Sequence, residues 1–195
     1  MSQAATILVV CTGNICRSPF IERLLQRRLN ERRPGSEPTI QVRSAGTSAL
    51  DGWAMDERAA GQLLAYGGDP SGFRARSLTA DLVAGSDLVL TATRSHRGSV
   101  SALYPKALRQ VFTFADFADL VEGVDGLDAR VADTDPREWV AQVTEEAASR
   151  RGLRTPLEPD QADVVDPFGR SDAVFAAMAQ QVLASMPAVV RALVG

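Results

Sequence analysis

The residues best suited to chemistry lie in one short run, Cys11-Thr-Gly-Asn-Ile-Cys-Arg17-Ser18-Pro19. A thiol stands six residues before a guanidinium. Gly13 and Asn14 between them tolerate positive φ, so the run can curl with its N–H groups turned inward. Arg17 offers a planar fork that matches two oxygens of a phosphoryl group. Ser18 and Pro19 read as the cap and first residue of a helix, whose N-terminus adds free donors and partial positive charge. Thr12, Gly13, Asn14, Ile15, Cys16 and Ser18 would then cradle a tetrahedral dianion, with Arg17 closing the ring. Such a field favours a thiolate at Cys11, placed beneath the phosphorus for in-line attack. The Ser18 hydroxyl could donate to that sulfur and help it leave in a second step. A Cys-x5-Arg spacing is a weak signal alone. The following Ser, the internal Gly-Asn, the preceding strand and the Pro-started helix make it a strong one. Cys16 reads either as a small buried hydrophobe or as a thiol that could trap an oxidised Cys11.

The surrounding elements are arranged to present this loop. Thr6–Val10 is a short β-branched run expected to form a buried parallel strand. Ile21, Leu24, Leu25 and Leu29 lie on one face of the helix that follows, which Pro34-Gly35 should stop. Thr39–Arg43 predicts a second strand, Ser44–Gly52 a loop, and Met55–Tyr66 a helix closed by Gly67-Gly68. Asp87–Ala92 predicts a third strand, Ser95–Tyr104 a helix, and Arg109–Phe114 a fourth strand. Ser171 to about Val194 predicts a long amphipathic helix, with Pro187 a possible bend. Alternating strands and helices predict an α/β fold. It is an open four-stranded parallel sheet with helices on both faces, flavodoxin-like and doubly wound, with the phosphate loop after the first strand. The whole chain, 1–195, reads as one domain. A segment at about 123–162 breaks the rhythm. It holds Asp125, Asp128, Asp133 and Asp135, then a helix over Arg137–Arg150 with Trp139, Val140, Val143 and Ala147 along one side, then a Pro-containing loop. It reads as a solvated insertion, or else as a lid or partner surface.

Composition limits the alternatives. At 195 residues, 45% hydrophobic and 23% charged, the chain can bury a full core and is too apolar to be disordered. A net charge of -3 excludes a global basic field for nucleic acid or for an anionic membrane surface. Arg outnumbers Lys, with Lys106 the single lysine; codon bias is the plain reading. No run of about 18 apolar residues predicts a membrane span, and no basic, apolar leader opens the chain, so a cytoplasmic protein is expected. Two cysteines and one histidine, His96, fall short of a tetrahedral zinc site or a disulfide framework. No metal or other cofactor is required, since Arg17 and the loop amides supply the positive field. His96 itself reads as an ordinary loop or helix-start residue.

The run Val10-Cys-Thr-Gly-Asn-Ile-Cys-Arg-Ser-Pro19 resembles the signature loop of the low-molecular-weight protein tyrosine phosphatases. Arg43-Ser-Ala-Gly-Thr47, Arg74-Ala-Arg76, Asp87-Leu-Val-Leu90 and Asp166-Pro-Phe168 extend the resemblance over nearly the whole chain outside 123–162. The resemblance implies that Asp166 protonates the leaving oxygen and then serves as base for water. By itself Asp166-Pro167 would read as a turn, and Asp163 is a nearby carboxylate without the Pro-aromatic pair. The resemblance also makes Asn14 and Ser44 supports of the loop. Phe73 stands where members often carry a histidine, which removes one polar anchor from that bracing. Trp53 and Phe168 could wall a phosphophenyl ring, although Trp53 alone would read equally well as a core or loop anchor. Gly169 replaces a tyrosine found in many eukaryotic members. Thr12 replaces a bulkier apolar residue and makes one wall smaller and more polar. The implied activity is hydrolysis of phosphotyrosine in proteins, or of a small aryl phosphoester. Two other functions share these features: arsenate reduction, which usually needs further cysteines, and phosphoprotein binding without turnover.

Overall fold

The computed structural model describes residues 4–32, 39–124 and 135–194. Strand β1 (Ala5–Cys11) is central, with side chains alternating between two apolar layers. Ile7, Val9 and Cys11 face one core with α1 (Arg17–Arg32) and the last helix, while Leu8 and Val10 face the other. β2 (Ile40–Gly46), β3 (Leu88–Thr91) and β4 (Val111–Thr113) complete a four-stranded sheet of order β2-β1-β3-β4. Every pair in it is parallel. This is the doubly wound sheet expected from the alternation. The strand order reverses at β1, so the loop after Cys11 opens at the carboxyl end of the sheet beside the switch point.

The remaining helices are α2 (Glu57–Ala65), α3 (Ala80–Ala84), α4 (Arg94–Leu103), α5 (Phe114–Val121), α6 (Pro136–Arg150), α7 (Pro159–Ala162) and α8 (Asp172–Val194). Several elements differ from expectation. β2 runs on to Gly46 because Val9, Val10 and Cys11 pair with Ser44, Ala45 and Gly46. β4 stops at Thr113 because the Thr113 hydroxyl accepts the Asp116 N–H and starts α5, an unpredicted helix that buries Phe114, Phe117 and Leu120. α1 begins at Arg17, so Ser18 is not its cap. Its hydroxyl is committed to Cys11 and Asn14 instead. Pro19 still falls in the first turn, where no N–H is needed. The expected stop at Pro34-Gly35 and three of the acidic residues, Asp125, Asp128 and Asp133, lie outside the described residues.

The helical part of the irregular segment is not solvated. α6 buries Trp139, Val140, Val143 and Ala147 in the main core. Trp139 Nε1 donates to the carbonyls of Ala192 and Leu193 at 3.2 and 3.1 Å, which ties α6 to the end of α8. Arg137 forks onto Asp87 Oδ1 at 3.0 and 3.1 Å, while the other Asp87 oxygen accepts the Thr6 N–H at the start of β1. α8 is long and apolar enough to cross a membrane by length and composition, with a mean hydropathy of 1.6. No run in the sequence had suggested such a span. Here Phe175, Met178, Val182, Met186 and Val189 of that helix are buried in the core beside α1 and α5.

Candidate active site

The loop after β1 is shaped from outside. The carbonyls of Cys11, Thr12, Gly13 and Ile15 accept from the N–H groups of Thr47, Ser48, Leu50 and Asp56 at 2.9, 3.0, 3.1 and 2.9 Å. These four bonds fix the curl of the loop and tie it to the segment 47–56. Gly46 makes this approach feasible: a Cβ there would lie 2.3 Å from the Thr12 carbonyl oxygen. Nothing in the spacing of the signature run pointed to Gly46, which is dictated by a contact between two strand ends. Asn14 alone in the loop takes the left-handed conformation, with φ 54°. Gly13, expected to share it, does not.

Asn14 is buried, and both its side-chain nitrogen and its oxygen are hydrogen-bonded. Nδ2 donates to Ser18 Oγ at 2.9 Å and to Ser44 Oγ at 2.8 Å, and Oδ1 accepts the Arg76 N–H at 2.9 Å. The Ser44 hydroxyl donates to Glu22 Oε2 in a short hydrogen bond. Glu22 is buried, and burial raises its pKa above the usual carboxylate range, with the Ser44 bond opposing. The brace therefore closes without the histidine that Phe73 replaces. Phe73 is a core residue with the Arg23 guanidinium above its ring at 5.7 Å. Glu22 was missed in the sequence because it sits on the apolar face of an amphipathic helix.

Cys11 is buried, with Sγ 2.9 Å from Ser18 Oγ. Because Ser18 Oγ already accepts from Asn14, its own proton is free to point at the sulfur. Cys16 is also buried, and desolvation pushes its thiol up to about 12, followed by the nearby charge of Asp56. Of the two free thiols, Cys16 is thus held protonated and is unfit as the nucleophile.

Arg17 reaches across the cavity. Its Nη2 lies 2.8 Å from Asp166 Oδ2 and 3.5 Å from Thr12 Oγ1, and Nη1 lies 3.5 Å from the Val164 carbonyl. The Asp166 loop is held to the rest of the fold at two further points and turned by one internal bond. The Val164 N–H donates to the Ala92 carbonyl at 2.9 Å, the Val165 N–H to Gln181 Oε1 at 2.8 Å, and the Phe168 N–H to Asp166 Oδ1 at 3.2 Å. Asp163 turns away and accepts the Arg94 N–H.

These groups enclose a cavity of about 220 Å³ lined by Cys11 through Gly13, Ile15 through Arg17, Ser48, Leu50, Asp166 and Phe168. The predicted residues Cys11, Thr12, Arg17, Asp166 and Phe168 are thus brought together. Asn14, Ser18 and Ser44 stand behind the loop as supports. Trp53 is 63% exposed and does not itself line the cavity, but its N–H donates to the carbonyl of Leu50, which does. Leu50 takes the apolar place expected of it, and its signal was hidden in a loop of small residues. His96 was also missed. It is buried between Thr93 Oγ1, 2.7 Å from Nδ1, and Thr12 Oγ1, 2.8 Å from Nε2.

The comparisons agree with this geometry. A sequence model of the Low molecular weight phosphotyrosine protein phosphatase matches residues 6–150. The low molecular weight protein-tyrosine-phosphatase Etp of Escherichia coli K12 is 37% identical over 117 residues, 60% of this chain and 74% of that protein. The crystal structure of the tyrosine phosphatase AmsI of Erwinia amylovora superposes with a TM-score of 0.68 at 26% identity, over 98% of this chain and 94% of the other. The tyrosine phosphatase Wzb of Escherichia coli K30, solved in complex with sulphate, gives 0.64 at 26% identity and 97% of both chains. The chain belongs to the low molecular weight phosphotyrosine protein phosphatase family.

Proposed function

We propose that this protein tyrosine phosphatase acts on phosphotyrosine in proteins, and on small aryl phosphoesters, through a phosphocysteine on Cys11. Cys11 Sγ attacks phosphorus as the bond to the phenolic oxygen breaks, and Asp166, as the acid, gives that oxygen its proton. The inward N–H groups and Arg17 hold the equatorial oxygens throughout. Water then attacks the phosphocysteine and passes a proton to the Asp166 carboxylate. The S–P bond breaks, orthophosphate leaves and the thiolate returns. Ser18 stabilises the sulfur as it departs. Ile15, Leu50 and Phe168 offer apolar surface to the aryl ring. We place the reaction in the cytoplasm, where reducing conditions keep both thiols free.

The observation that carries this reading is the meeting of Arg17 and Asp166 at 2.8 Å over a cavity that Cys11 also lines. A nucleophile, an anion clamp and a proton donor share one cavity of about 220 Å³. The test is turnover of para-nitrophenyl phosphate and a phosphotyrosine peptide in EDTA, which Cys11→Ser should abolish. Unchanged turnover in that variant would overturn the assignment. A pull-down with the same variant would identify the substrate.

A further inference from the structure

His96 lies 84 positions from Thr12 in the chain, on the first turn of α4, yet the two side chains touch. It is the single histidine of the protein. Each of its ring nitrogens faces one threonine hydroxyl. The Thr93 hydroxyl oxygen accepts the His96 backbone N–H at 3.3 Å as the cap of α4, and stands 2.7 Å from Nδ1. In the tautomer with the proton on Nε2, the Thr93 hydroxyl donates to Nδ1. Nε2 then donates to Thr12 Oγ1 at 2.8 Å. Arg17 Nη2 faces the same oxygen at 3.5 Å. With Nε2–H donated to its oxygen, the Thr12 hydroxyl keeps its own proton to offer, and Thr12 lines the phosphate cavity.

We propose that His96 is a positioning residue: its Nε2–H turns the Thr12 hydroxyl so that the Thr12 proton points at a phosphoryl oxygen in the cavity. The proposal rests on the phosphatase reading. It adds one oriented side-chain donor to the ring of backbone donors and sets it from a helix on the far side of β3. The charged groups facing the imidazole are Arg17, Asp166 and Asp163, and burial with the Arg17 charge keeps the ring neutral, its pKa lowered to about 4.

The test measures the affinity of inorganic phosphate by calorimetry alongside turnover of para-nitrophenyl phosphate, for His96→Ala, Thr12→Val and the double variant. Each single variant should weaken phosphate binding and raise KM by about five- to tenfold with kcat within about twofold, the scale of one hydrogen bond to a charged group. The double variant should lose no more than either single one. His96→Gln, whose amide N–H reaches the same place, should restore most of the loss. Nitrogen chemical shifts of the lone imidazole should report the Nε2–H tautomer at pH 7. Additive losses, unchanged phosphate affinity in Thr12→Val, or the Nδ1–H tautomer would each overturn the proposal. Should His96→Ala fail to fold, Thr12→Val, at an exposed side chain, and the wild-type spectrum still decide it. Phosphate affinity is read without turnover, so an inactive but phosphate-binding wild-type protein would count against the phosphatase reading alone.

Discussion

Arg17 Nη2 and Asp166 Oδ2 are 2.8 Å apart although 149 positions separate them, and the arginine is buried while the carboxylate side chain is 53% exposed. The pair joins the phosphate loop to the acid loop. In the proposed reaction, substrate phosphate takes the guanidinium from Asp166, and that exchange leaves the carboxyl free to work on the leaving oxygen. In the same step the anion clamp is engaged and the acid is released.

Asp166→Asn keeps the shape and the contact with Arg17 but has no proton to give. Hydrolysis of esters with poor leaving groups should fall by about 10²- to 10⁴-fold, and that of para-nitrophenyl phosphate by much less. A plot of rate against leaving-group pKa checks this. Equal losses for all esters would assign Asp166 to positioning.

Gly46→Ala puts a methyl group where the Thr12 carbonyl now sits, at 2.3 Å, with Ala49 also close. The loop must move by a large fraction of an ångström. Turnover should drop by about 100-fold, the cost of misplacing reacting groups on that scale, while the fold survives. Steady-state kinetics with a circular-dichroism melt separates the two effects.

Asn14 combines a left-handed backbone with three side-chain hydrogen bonds. Asn14→Ala loses the bonds and keeps the strain, so stability should fall by about 2–4 kcal/mol. Asn14→Gly loses the bonds but relieves the strain and should fall by about 1–2 kcal/mol less. Urea midpoints of the two variants test the order.

Acid should destabilise the fold through His96. Its pKa is lowered from 6.5 to about 4 by burial and by Arg17, so between these values the unfolded chain binds more protons than the folded one. The contribution is complete above pH 6.5 and is lost as pH falls toward 4, on the order of 2 kcal/mol after allowing for screening by water at the cavity. Glu22 works in the opposite direction, since its raised carboxyl takes up a proton earlier in the folded state. The difference in melting temperature between wild type and His96→Gln, followed from pH 7 to pH 4, isolates the histidine. A constant difference over that range would contradict the assignment.

Trp139→Phe removes the donor to Ala192 and Leu193 without emptying the core. It should cost about 1–2 kcal/mol in denaturant unfolding and leave kcat/KM within about twofold, because α6 does not reach the phosphate cavity.

Local order along the chain already implied much of this protein. Cys11, Arg17 and Ser18 are close in sequence and emerge from one strand–loop–helix unit, so their chemistry could be read from spacing. The strand–helix alternation implied the parallel sheet for the same reason: short-range periodicity reports which faces are buried. Folding at longer range decided the rest. Glu22 ends the Asn14–Ser44 brace, Gly46 admits the loop carbonyl, Leu50 lines the cavity, and His96 reaches Thr12. Each depends on the separation of two side chains brought together by β-strand pairing or helix packing. Even α5, with its Thr113-x-x-Asp116 start in plain view, was hidden because an apolar run suits a strand or a helix equally until its neighbours choose. Covalent sequence specifies which groups are present and how neighbours along one element are spaced, whereas distances between elements are set only when the two apolar layers close on the sheet.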